Sequence, residues 1–171
     1  MGHQEFGTVG SANSRVVIGN NSDVVRWDNI PQDEDGHGTH VAGLIGADKD
    51  NVGMHGVAYN STLYPIKTLT PRGTPASVAG IWTVAWGFYL ADVYNVDIIN
   101  NSWGYPETEI GVTCNSQSSC ESALNTANNY EYTYYYYQRI VTQQNAMMVW
   151  AAGNDGLSNP SALNGACIYD S

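Results

Sequence analysis

Strands alternating with helices constrain this chain more than any other feature. Val96–Asn100 and Met147–Ala152 each read as a buried strand, the second ending abruptly at Gly153-Asn154. Between them, Glu121–Gln144 predicts a long helix. Residues 76–94 predict another, because Val78, Ile81, Trp82, Ala85, Trp86, Tyr89 and Leu90 recur at helical spacing. Further upstream, His37–Ala47 has the small and apolar residues of a buried helix. Leu63–Lys67 reads as a strand with Pro65 an awkward member. Such alternation predicts an α/β chain, a doubly wound parallel sheet with helices on both faces. Residues 1–36 are rich in Gly, Asn, Ser and Asp and predict loop, with one strand candidate at Val16-Val17-Ile18. The expected division is an N-terminal loop and strand segment, 1–28, followed by one domain, 29–171. No internal repeat or linker-like stretch argues for more.

Composition narrows the partners. The formal net charge is −10, a surface that repels phosphate backbones, so nucleic-acid binding is excluded. No stretch approaches the ~20 apolar residues that span a bilayer. Met1–Phe6 has neither the basic nor the apolar region of a secretory leader, so the precursor begins further upstream or the protein stays where it is made. Cys114 and Cys120 flank a short polar loop, and two readings stay open: a small disulfide, or two unrelated thiols. Cys167 has no evident partner. The run Tyr132–Tyr137 contains one Thr and spreads rings around a whole helix. That favours packing on a sheet, with some hydroxyls in water, over a stacking platform for bases or sugars.

In sheets of this kind, sites lie outside the carboxyl ends of the strands. Asn100-Asn101-Ser102-Trp103-Gly104 and Gly153-Asn154-Asp155-Gly156 fall there. The chemistry, however, is richest at Asp33-Glu34-Asp35-Gly36-His37-Gly38-Thr39-His40. Glycines on both sides of His37 leave an imidazole accessible at a helix start, where it can act as a general base. His40 is expected to be a buried, hydrogen-bonded core histidine. A rival reading makes Asp35, His37 and His40 the ligands of a metal hydrolase, although no second cluster supplies more ligands.

His37-Gly38-Thr39-His40-Val41-Ala42-Gly43 resembles the active-site histidine motif of the subtilisin-like (S8) serine proteases. The resemblance implies that His37 is the general base and that His40 is structural. Gly53, Gly56-Val57-Ala58, Leu63-Tyr64 and Lys67 fall in the family's expected places; His55 and Tyr59 depart from its pattern. Ile98–Gly104 resembles the strand whose end lines the specificity pocket, so Ser102, Trp103 and Gly104 are expected to pair with substrate backbone. Trp150-Ala151-Ala152-Gly153-Asn154 resembles the oxyanion motif, which makes the Asn154 amide the expected donor to a developing oxyanion. Asp48–Met54 resembles a calcium loop found in many members. Asp50 and nearby carbonyls are the expected oxygen ligands of a structural Ca2+, and no cofactor is expected for catalysis.

This resemblance covers roughly residues 29–165, with two parts of the triad unaccounted for. No Gly-Thr-Ser setting occurs for a nucleophile, and Ser171 stands at the end of the sequence. Asp23 and Asp28 lie too close in sequence to His37 to orient it, and Glu5 is better spaced but has no strand around it. The expectation is a serine endopeptidase fragment with parts of its catalytic domain missing on both sides, inactive alone, from a secreted or cell-surface protein that acts on peptides or proteins. The alternative is a non-catalytic relative that keeps the cleft and binds peptides.

Overall fold

The computed structural model describes residues 4–7, 14–70, 81–103, 139 and 143–151. The chain divides into two compact units, Met1–Leu90 and Ala91–Ser171. No described helix is long and apolar enough to cross a membrane.

In the first unit, a short 3-10 turn at Gln4–Phe6 precedes an irregular stretch and helix α1, His37–Gly46. The expected helix is therefore present, although only Gly43 and Gly46 of it are buried, and its carboxyl end is finished by distant groups. A helix leaves its last carbonyls without internal partners. Here the Val57 and Ala58 amides reach Leu44 O (3.1 Å) and Ile45 O (2.7 Å), while Gly56 N bonds Ala47 O (3.0 Å). Arg15 Nη2 takes Gly46 O at 2.8 Å. Gly56 has no room for a side chain, since a Cβ would run into the backbone of Ile45 and Gly46. Gly46 itself lets α1 lie against Leu63, whose carbons would meet an added Cβ at 3.1 Å.

The strand expected at 63–67 appears only as two isolated parallel bridges, Val16↔Leu63 and Asp23↔Lys67. Its ends are well bonded: Val17 N to Leu63 O (2.9 Å), Leu63 N to Arg15 O (2.8 Å), Val24 N to Lys67 O (3.0 Å) and Lys67 N to Ser22 O (2.8 Å). The middle cannot follow, because Pro65 has no amide hydrogen to donate. On the other side, Gly19–Asn21 loop out, held by the Ser22 hydroxyl on Gly19 N (3.0 Å) and Gly19 O (2.9 Å). Val16 is thus the one paired residue of the expected 16–18 strand.

Helix α2, Ile81–Tyr94, realises the expected aromatic helix from residue 81 onward; residues 76–80 lie outside the described ones. Thr83, Val84, Ala85, Phe88, Leu90 and Ala91 are all buried. A helix apolar nearly all round belongs inside a core. Gly87 allows close contact with Thr68, and Trp86 packs edge-on against Trp27 with centroids 5.2 Å apart. Asn95, at φ 50, ends the helix in the left-handed conformation, with its amide on Asp92 O at 3.1 Å.

The second unit contains strands β1, Ile98–Asn101, and β2, Met147–Trp150. They pair in parallel, with Ile98 opposite Met147 and Asn101 opposite Trp150. Both overlap predicted strands, although Ile98, Met147 and Val149, expected to be buried, are exposed, and Ala151 N continues the ladder to Asn101 O at 3.0 Å. The chain entering β2 is tied to the end of α2, because Asp92 accepts Arg139 Nε (2.6 Å) and Gln144 Nε2 (2.5 Å). The described elements are therefore α/β with a parallel strand pair. The helix expected at 121–144 falls mostly outside the described residues, as do the cysteines and the tyrosine run.

Candidate active site

His37 is the first residue of α1 and is exposed. The residue before it, Gly36, has φ 87 and ψ −13, a conformation open to glycine at little strain. Gly36 brings no side chain to cap the helix, and Asp33 does so from three residues upstream in the chain. Its Oδ1 accepts the amides of Asp35 (3.1 Å) and Gly36 (2.8 Å). Its Oδ2 accepts the amide and the hydroxyl of Thr39, both at 2.7 Å. Partial burial pushes the Asp33 carboxyl up, but these hydrogen bonds from Thr39, Gly36 and Asp35 outweigh it and hold it below its ordinary value.

The segment leading to that turn is fastened in its own right. Glu34 is hydrogen-bonded by Lys67 and paired with Arg26. These contacts, Lys67 first, hold its carboxyl below the ordinary range. Lys67 Nζ also donates to Gln32 O at 2.7 Å and stands 3.6 Å from the wholly buried Asp23. Asp23 Oδ1 is occupied by the Arg26 amide (2.9 Å), and Asp28 Oδ1 by that of Ile30 (2.7 Å). Both acids thus accept amides of their own turn. His40, expected to be buried, is exposed: it lies on the outward side of a turn whose neighbour Thr39 is half-buried. Asp35, His37 and His40 form no metal-holding group, and no cluster of three such ligands occurs among the described residues.

At Asp48–Met54 the structure adds a residue that sequence spacing did not assign there. Glu5 is buried, its carbonyl accepts the Asp48 amide at 2.9 Å, and its carboxylate lies against Gly53 where a Cβ would stand. Asp48 is taken up by Arg15, and exposed Asp50 accepts the Val52 amide at 2.9 Å. Lys49 does not sit over Asp50: its ammonium lies over the Tyr59 ring, 5.1 Å from the centroid. His55 meets the same ring edge-on at 5.9 Å, so the two departures from the family pattern are physical neighbours.

In the second unit, Ser102 and Trp103 follow β1 directly, at the carboxyl end expected for a site. Ser102 Oγ accepts Asn100 Nδ2 at 2.8 Å. Trp103 and Trp150, half-buried, pack edge to face with centroids 5.5 Å apart. Gly104 and Asn154 lie outside the described residues. The structure therefore places His37 and Asp50 in one unit and Ser102 and Trp103 in the other. Asp33 was legible as a side-chain acceptor shortly before a Gly-flanked helix start with a following Thr. Glu5 carried no comparable mark.

Comparison with known proteins adds two kinds of likeness, to a family and to individual relatives. The profile of the subtilase family matches residues 2–170. A thermostable alkaline protease of Halalkalibacterium halodurans is 35% identical over 124 residues, 72% of this chain and 27% of that protein. Subtilisin BL of Lederbergia lenta is 32% identical over 130 residues, 76% of this chain and 39% of that protein. The minor extracellular protease Epr of Bacillus subtilis is 28% identical over 161 residues, 94% of this chain and 21% of that protein. The chain thus spans well under half the length of these curated relatives.

Proposed function

The chain belongs to the subtilase family, and on that premise we propose that it is the middle of a serine endopeptidase catalytic domain. The observation that carries this reading is His37, presented exposed at the start of α1 on a turn bonded from outside the helix. In the mechanism, His37 takes the proton of an attacking serine hydroxyl and returns it to the leaving amine. Asn154 donates to the oxyanion of the tetrahedral intermediate. Ser102, Trp103 and Gly104 hold the peptide substrate main chain to main chain beyond β1. The doubly wound sheet with helices on both faces is part of the same reading.

The orienting aspartate and the nucleophilic serine are to come from sequence flanking residues 1–171, so these residues alone are expected not to hydrolyse peptides. Glu5, Asp50 and carbonyls of the 48–54 loop suit a hard cation, because a buried carboxylate and an exposed one face a loop turned by Asn51 (φ 69) and Gly53 (φ 66). Calcium there would fasten the loop and take no part in bond breaking. Export to the cell surface or medium follows from the relative named as extracellular.

The test is the coding sequence on both sides. An upstream strand ending in Asp and a downstream Gly-Thr-Ser support the reading; expressing that longer chain should give an activity blocked by a serine-directed fluorophosphonate and abolished by His37→Ala. A start codon and a stop codon bounding these residues would instead favour the non-catalytic peptide-binding alternative.

A further inference from the structure

We propose that Asp33 is a positioning residue for His37, acting with Thr39 to hold the turn that presents the imidazole. The inference rests on the reading of His37 as the general base. One carboxylate takes donors from both sides of His37 in the chain: Asp35 and Gly36 before it, Thr39 after it. The His37 backbone is thus pinned between two anchors of a single rigid group. The carboxylate also overlies Gly38, where an added Cβ would stand 3.6 Å from Oδ2.

The need for such an anchor comes from exposure. The His37 side chain is exposed, so the main chain beneath it does much to decide where the imidazole sits. Gly36, as the residue before the helix, contributes no side chain to the task and is the least restrained residue type. Asp33 in turn has held neighbours: Gln32 through its carbonyl and Glu34 through its carboxylate, both on Lys67. A general base that drifts by about 1 Å loses on the order of a hundredfold in rate, so a fixed turn is worth having at this position.

Two measurements test the idea. In this chain, Asp33→Ala is expected to speed amide hydrogen exchange at Gly36 and Thr39 about tenfold while leaving Ala47, at the other end of α1, unchanged. In an enzyme that joins this chain to the aspartate and serine motifs, Asp33→Ala and Thr39→Val are expected to lower kcat about tenfold or more with KM within about twofold. Thr39→Ser, which keeps the hydroxyl, should restore kcat. If hydrolysis needs His37 but kcat is unmoved in Asp33→Ala, the inference fails alone. If hydrolysis survives His37→Ala, the general-base reading fails and takes the inference with it. Should Asp33→Ala not fold, Thr39→Val decides, because it removes one hydroxyl and no backbone donor; a wild-type kcat there overturns the proposal.

Discussion

The two units are held by different bonds. Among the described residues of Met1–Leu90, polar side chains clamp segments together, some far apart in sequence and some close. Arg15 joins the Asp48 carboxylate, Ser61 O (2.9 Å) and Gly46 O (2.8 Å); Asp33 gathers one turn, and Lys67 ties Gln32 to Glu34. Among those of Ala91–Ser171, the parallel ladder of β1 and β2 runs beside a single clamp, Asp92 on Arg139 and Gln144, with the Trp103–Trp150 contact at its carboxyl end. A ladder repeats one bond along a strand and tolerates change at its side chains. A polar clamp is a single junction, and losing it frees several segments at once. The first unit is therefore expected to be sensitive at a few points, and the second to be tolerant.

The largest effect that could break this contrast is at Gly56. Gly56→Ala forces a methyl group into the backbone of Ile45 and Gly46, and is expected to destabilise the first unit by about 3 kcal/mol in denaturant unfolding. A change too small to detect would mean that residues 56–58 do not cap α1 tightly. Next comes Arg15→Met, which keeps an apolar stem but leaves its three acceptors without their donor. A loss of about 2 kcal/mol is expected, discounted from a fully buried case because the pair is part-exposed. Arg15→Lys should recover only part of it, since an ammonium cannot repeat the forked geometry.

A smaller effect of opposite sign is expected in the second unit. Asn101 is buried at 3% exposure, and its Nδ2 has no hydrogen-bond partner among the described residues. Asn101→Met should stabilise by about 1 kcal/mol, read as slower amide exchange across β1 and β2 with Gly46 unaffected. Destabilisation by that substitution would point to a bond from Asn101 that the ladder depends on.

The smallest expected effect is the response to acid. Asp33 and Glu34 both have lowered carboxyl pKa values in the folded chain. Their contribution is therefore fully present above the unfolded-state pKa and is lost as pH falls through the lower, folded one. Titration followed by NMR should loosen the Gly36–Thr39 turn only below the ordinary carboxylate range, while the main-chain bonds of β1 and β2 persist. Loosening that begins at neutral pH would place the sensitivity in a group other than Asp33 or Glu34.

Much of this was legible in the residues themselves. Helices α1 and α2 and strands β1 and β2 lie where their residue patterns predicted, but α1 and both strands, expected to be buried, are largely exposed or half-buried. The histidine motif carried the family. The segment 63–67 shows the limit of such reading: its composition favoured a strand, but pairing depends on what a distant partner can offer. Pro65 and the looped-out Gly19–Asn21 allow bonds only at its two ends. His40 shows the same limit, since burial is a property of what packs over a side chain and His40 is exposed here.

What the sequence by itself determined was local: which stretches are helix or strand, and which histidine, His37, sits in the family's motif. Only the tertiary structure decided that Glu5 faces the 48–54 loop, that Lys67 ties Gln32 to Glu34, and that Arg15 caps α1. The physical reason is that periodicity and residue chemistry act over a few neighbouring positions. The partner of a charged or polar group, by contrast, is chosen by chain segments that meet only after folding.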